Sequence, residues 1–267
     1  MNNVIFGTIF GDIVGSVYET NNTKDYNFRL LSYKSTFTDD TILTVATADW
    51  LTNGGCISSY YDVYGNQYKE RGFGKGFTEW LNKPTKEPYS SNGNGSAMRV
   101  SPVGCYASSI EEAMELAEIT ASCSHNGTDG IEGAKFVAAA IFMLSHGASK
   151  EEAKGRLKGF FGYNIDLKYD DVKKDYGWKY GATNGGTVPY AFIAFFESTS
   201  FEDAIRKAVS LGGDSDTIGA ICGGMAGAYY GFPEKFTDEV AKKLPLSFLL
   251  TINAFNLTLI NKNKKNE

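Results

Sequence analysis

Two short acidic runs carry the clearest chemical signal in the chain. FTDDT sets Asp39 and Asp40 directly behind Thr38, and GGDSDT at 212–217 sets Asp214 and Asp216 beside Thr217. Each run precedes an apolar-periodic segment, so each stands at an expected helix start. Capping alone would account for these residue types, because hydroxyls and carboxylates satisfy free N–H groups and complement the helix dipole. Both runs, however, pair carboxylates with a hydroxyl. Four carboxylates brought together would repel strongly unless a cation lay between them. Donors made only of oxygen suit Mg²⁺, Mn²⁺ or Ca²⁺ and not zinc or copper. An EF-hand fails on DSDTIG, since Ile218 occupies a ligand position and Met225 stands where the closing Glu belongs.

Three further features could belong to the same site. Asp12 and Glu19 are seven residues apart, which on one continuous helix puts them within about 20° of one face. NGNGSAMRVSP, from Asn92 onward, has alternating glycines whose N–H groups could cradle phosphate oxygens, although it matches neither a Walker loop nor G-x-G-x-x-G. An ordinary turn is the alternative. His125 precedes a helix start, where a structural role competes with a ligand contact, and Arg99 could pair with a phosphate or with a neighbouring carboxylate.

The elements that must position these groups read as helices. Apolar residues recur at helical spacing over 4–18, 41–51, 110–122, 130–144, 150–161, 188–196, 201–211, 216–230 and 239–256, and strand-like alternation is scarce. Gly7, Gly11 and Gly15 form one stripe, and Gly219, Gly223 and Gly227 another. Glycine costs a helix about 1 kcal/mol per site relative to alanine, so the stripes imply that another backbone or a ligand comes very close. The two thin-faced helices are expected to pack against each other at the centre of an all-α fold. Segments 53–95 and 162–186 read as surface excursions. Residues 1–260 form one expected domain, and 261–267 a frayed tail.

Composition narrows the function classes. Lys and Arg number 26 against 31 Asp and Glu, a net charge of −5, which argues against a nucleic-acid or anionic-membrane footprint. Cys56, Cys105, Cys123 and Cys222 form no C-x-x-C pair, so neither a disulfide framework nor a zinc ribbon is expected. The opening residues carry no Lys or Arg before an apolar run that Asp12 interrupts, so neither a signal peptide nor a membrane span fits, and a cytoplasmic location is expected.

Taken together, GTIFGDIVGSVYE, FTDDT, NGNGSAMRVSPVG, SHNGTDGIEGA and SLGGDSDTIGAICGGMAGAYYG occur in the order found in the ADP-ribosylglycohydrolase family, and the chain resembles that family over about residues 4–233. The resemblance implies an all-α bundle around a cleft with two Mg²⁺, or Mn²⁺, ions. It implies Thr38, Asp39, Asp40, Asp214, Asp216 and Thr217 as their ligands. Glu19 and Asp39 become the candidate catalytic residues, and G-S-V-Y-E is similar to the serine-linkage branch. Gly93, Asn94, Gly95, Ser96, Ala97 and Met98 would hold the diphosphate and distal sugar, with His125 near the ribose. The implied activity is hydrolysis at C1″ of ADP-ribose in modified proteins or small conjugates; an ADP-ribose or nucleotide receptor with little chemistry is the alternative. The sequence departs from the family's pattern at Thr128, Asp129 and Asn92, all at the adenosine end.

Overall fold

In a computed structural model, which describes residues 3–266, the two glycine stripes meet. Helix α1 (Asn3–Gly15) runs antiparallel to α13 (Ser215–Tyr230). A Cβ on Gly11 would lie 1.9 Å from the Gly219 carbonyl oxygen, and one on Gly7 would lie 2.2 Å from that of Gly223. No side chain fits there, so backbone touches backbone, and Gly15 at the end of α1 abuts Ser215 and Asp216 at the start of α13. The expected central pair is therefore present.

Around it, the chain folds as α2 (Asp39–Asn53), α3 (Ile57–Gln67), α4 (Lys75–Asn82), α5 (Gly95–Met98), α6 (Ser101–Tyr106), α7 (Ile110–Ser122), α8 (Thr128–Ser145) and α9 (Lys150–Phe160). Then follow α10 (Tyr169–Asp175), α11 (Asn184–Phe196), α12 (Phe201–Val209), α14 (Thr237–Ala241) and α15 (Leu246–Asn266). No strand occurs among the described residues; Gly93 and Thr183 form one isolated bridge. Helices α8, α11 and α12 pack on α13, while α2 and α6 pack on α1. Ser109, Ser149 and Ser200 cap α7, α9 and α12, each accepting from an N–H in the first turn. No helix is long and apolar enough to cross a membrane among the described residues.

Several expectations change. Segment 53–95 holds α3 and α4, whose Tyr61, Phe77 and Trp80 are buried, and 162–186 holds α10 and a 3₁₀ turn, with Tyr169, Val172 and Tyr176 buried. Each helix carries a short stripe, Ile57, Tyr61 and Gly65 in α3, Phe77, Trp80 and Leu81 in α4, and Tyr169 and Val172 in α10, which anchors the segment within stretches that are otherwise polar. The expected helix 239–256 is split at Pro245, where α14 has ended and α15 begins. Residues 261–266, expected as a tail, continue α15. Lys262 ties them down, donating to the Tyr106 carbonyl at 2.8 Å and lying 3.8 Å from the Tyr106 ring centroid. Glu267 lies outside the described residues.

Candidate functional site

Helix α1 stops at Gly15 because the chain turns back on itself. Ser16 donates its N–H to the Asp12 carbonyl and its hydroxyl to that of Ile13, and Tyr18 N–H closes a tighter turn on Gly15. Glu19 therefore sits on the following loop, and the shared helix face expected for Asp12 and Glu19 does not exist. The two residues take different jobs.

Asp12 is fully buried and organises the start of α2. Its carboxylate accepts from Thr38 N–H at 3.0 Å, Thr38 Oγ1 at 2.7 Å, Thr41 N–H at 3.1 Å and Thr41 Oγ1. Burial pushes its pKa up to about 6, and the four hydrogen bonds oppose that rise. Thr38 also accepts from Asp40 N–H as the N-cap. The cap expected from the sequence is real, and Asp39 and Asp40 follow it in the first turn of α2.

Across from them, Gly212 and Gly213 adopt φ of +76° and +71° to swing Asp214 into the cleft. Asn22, which the sequence did not single out, clamps this turn to the Glu19 loop. Its Oδ1 accepts from Gly213 N–H at 2.8 Å, and its Nδ2 donates to the carbonyls of Tyr18, Glu19 and Gly213. One oxygen from each of Glu19, Asp214 and Asp216 then lies within 4.8 Å of the others. Thr217 Oγ1 donates to Asp40 Oδ2 at 3.3 Å, joining the two acidic runs. Asn94 Nδ2 donates to Asp214 Oδ2 at 2.7 Å and joins the glycine loop to them.

The electrostatics show what the site lacks. Burial, then the negative charge of neighbouring carboxylates, raises Asp39, Asp40 and Asp216 well above the usual carboxylate range. Glu19 rises as well, from burial and then from Asp214 and Asp12. Asp40 Oδ1 is buried with no hydrogen-bond partner. Converging oxygen donors, an orphaned carboxylate oxygen and the absence of a basic side chain among the residues binding them fit a hard divalent cation.

The cleft above is open and about 250 Å³ in volume, near the lower end for small-molecule sites. Glu19, Asp39, Asp40, Asp214, Asp216 and Thr217 line it together with Gly93, Asn94, Gly95, Met98 and His125, and the two sets meet where Met98 Sδ lies 4.0 Å from Thr217 Oγ1. Ser96 and Ala97 do not face it: both are buried behind the loop, where Ser96 Oγ donates to the Gly130 carbonyl at 2.7 Å. Thr38 is half-buried between the two acids, its hydroxyl 2.7 Å from Asp12 Oδ1 and 3.4 Å from Asp40 Oδ2. Residues the sequence reading missed complete the lining, among them Phe77, Tyr89 and Trp178, all from the two segments taken for excursions. Trp178 is half exposed and donates from Nε1 to the Glu19 carbonyl at 3.2 Å. Arg99 has no carboxylate partner among the described residues; its Nη2 donates to the Thr120 carbonyl at 2.7 Å and to Ser124 Oγ at 2.9 Å.

Fold and site define an all-helical protein whose cleft is lined by a cation-fitting carboxylate cluster and, joined to it through Asn94, a glycine loop with a histidine. The family model for ADP-ribosylglycohydrolase matches residues 2–254, and the chain belongs to that family, hydrolases of ADP-ribose glycosidic linkages. A solved "ADP-ribosylglycohydrolase-related protein complex" superposes with a TM-score of 0.72 at 26% identity, covering 95% of this chain and 94% of that one. The human ADP-ribosylhydrolase ARH3 is 25% identical over 85% of this chain and 84% of its own length. An uncharacterized protein of Archaeoglobus fulgidus is 34% identical, but the match covers 56% of this chain and 57% of that protein. The ADP-ribosylarginine hydrolase Tri1 of Pseudomonas putida is 27% identical over 57% of this chain and 43% of its own.

Proposed function

We propose that the chain is a magnesium-dependent hydrolase that cleaves the glycosidic bond at C1″ of ADP-ribose, freeing ADP-ribose from modified protein side chains or small conjugates. The observation that carries this reading is the meeting of Glu19, Asp214 and Asp216 within 4.8 Å, with Asp40 joined to them through Thr217. The ligands would be Thr38, Asp39, Asp40, Asp214, Asp216 and Thr217, holding two Mg²⁺ or Mn²⁺ ions. When bound, such ions neutralise the carboxylates, grip a ribose diol and make water a better nucleophile. Glu19, half-buried at the mouth, then accepts the proton that water loses as its oxygen bonds to C1″; Asp39 orients the same water, and the leaving nitrogen or oxygen takes up a proton as the bond to C1″ breaks. The glycine loop holds the diphosphate and distal sugar, with His125 near the ribose. Four free cysteines fit a reducing cytoplasm.

A panel of serine- and arginine-linked ADP-ribosylated peptides and small conjugates, assayed with and without Mg²⁺, tests the proposal. Release of ADP-ribose that chelation or Asp39→Asn with Asp216→Asn abolishes is the expected result. Undiminished release in chelator removes the cation from the mechanism. ADP-ribose binding without release from any substrate makes the chain a receptor instead.

A further inference from the structure

His125 lines the cleft beside the glycine loop, only 5% exposed, with its ring edge-on to Tyr89 at 5.6 Å between centroids. Its Nε2 lies 2.9 Å from where a Cβ on Gly95 would be and 3.4 Å from that of Gly93. A side chain at Gly95 would press on the ring, whereas one at Gly93 would meet it at ordinary contact distance. Nε2 has no protein hydrogen-bond partner among the described residues, whereas Nδ1 lies 2.8 Å from Ser124 Oγ.

The hydrogen-bond inventory around Ser124 decides which ring nitrogen carries the proton. Arg99 can only donate, and its Nη2 already donates to Ser124 Oγ. Ser124 is fully buried, so its own hydroxyl proton needs an acceptor. Cys123 Sγ lies 4.0 Å away and offers only a weak one. His125 Nδ1 is the strong acceptor within reach. The reverse arrangement, with Nδ1–H donating to Ser124, strands a buried hydroxyl proton. A doubly protonated ring is opposed by burial and by the guanidinium charge one hydroxyl away, both of which push the His125 pKa well below its ordinary value. Arg99 in turn is fixed: it is buried, stacked 4.2 Å from the Tyr61 ring centroid, and held by the Thr120 carbonyl.

We propose that Arg99 and Ser124 are positioning residues which lock His125 in the neutral Nε2–H tautomer, so that the ring presents a standing hydrogen-bond donor to an oxygen of the ligand beside the glycine loop. In this tautomer Nε2 cannot accept a proton, so His125 binds ligand and takes no part as a base. Naming ADP-ribose as the ligand rests on the proposed function; the tautomer does not.

The test labels the full chain with nitrogen-15 histidine and records long-range proton–nitrogen correlations. His125 and His146 are the only histidines, so a His146→Gln variant assigns the signals. The expected spectrum shows Nδ1 unprotonated and Nε2 protonated, unchanged from pH about 5.5 to about 8, where an ordinary histidine titrates. Ser124→Ala should give a mixture of tautomers and bind ADP-ribose about three- to tenfold more weakly by calorimetry, and Ser124→Thr should restore both. An Nδ1–H or doubly protonated ring in the unaltered chain at neutral pH overturns the proposal, with no variant required. So does an unchanged tautomer in Ser124→Ala. Unchanged ADP-ribose affinity beside an altered tautomer overturns the donor role alone. No ADP-ribose binding by the unaltered chain overturns the proposed function and leaves the tautomer standing.

Discussion

At the scale of single residues, the carboxylates divide into those that hold the site and those that line it. Asp12 belongs to the first kind, since every hydrogen bond its carboxylate accepts comes from Thr38 or Thr41. Asp12→Asn turns an amide N–H₂ towards donors, which should cost about 1–3 kcal/mol in denaturant unfolding and weaken hydrolysis by loosening the start of α2. His125 yields a pH prediction. The folded chain keeps it neutral while the unfolded chain protonates it below about 6.5, so acid favours unfolding in that range. The raised carboxyls act oppositely, since the folded chain holds their protons more tightly than the unfolded one and loses stability as pH rises. The difference between the unaltered chain and His125→Gln isolates the histidine: the melting temperature of the variant should fall less between pH 7 and pH 5.5, both about neutral to mildly acid. Asp39, Asp40, Asp214 and Asp216 were legible in the sequence because two similar runs in one chain are hard to explain by capping. Glu19 was found by a helical spacing the fold does not contain. Asn22 and Trp178 gave no signal, because their contacts join segments more than 150 residues apart.

At the scale of elements, the site depends on how closely α1 approaches α13. Gly11→Ala puts a methyl group 1.9 Å from the Gly219 carbonyl oxygen, and the backbones must separate to admit it. Overpacking of this kind costs about 1–3 kcal/mol, seen as a lower melting temperature, and activity should fall further than stability because the separated helices carry the carboxylates apart. The Asn22 amide clamp is subject to the complementary test. Asn22→Ala lies near the surface, so the melting temperature should change little, whereas kcat should drop about ten- to a hundredfold if Glu19 drifts by about an ångström from its partners. The glycine stripes made the helix pair legible, since a repeat every four residues is a strong local pattern. The walls of the cleft were passed over: α3, α4 and α10 do bury helically spaced residues, such as Phe77, Trp80 and Leu81, but the helices are only 11, 8 and 7 residues long and their stripes are short against the polar residues around them.

At the scale of the whole molecule, folding and cation binding should be linked. The acidic cluster opposes its own assembly, and an ion that binds only the folded chain stabilises it by about 2.7 kcal/mol at a hundred times its dissociation constant. Thermal melts should therefore shift upward with Mg²⁺, and the shift should vanish in Asp39→Asn with Asp216→Asn. A shift of equal size in that double variant places the ion elsewhere. The all-α architecture and the central cleft were legible from helical spacing and motif order across almost the whole chain; the shape of the cleft was set by long-range packing that no local pattern records. That packing also bears on biosynthesis. The first forty residues supply Glu19, Asp39 and Asp40, but their counterparts emerge from the ribosome only after residue 213, and until then the bare backbone stripe of α1 has no mate. A chain cut short before α13 thus lacks Asp214, Asp216 and Thr217, half of the acidic cluster, and leaves a glycine-lined stripe for chaperones or proteases to find.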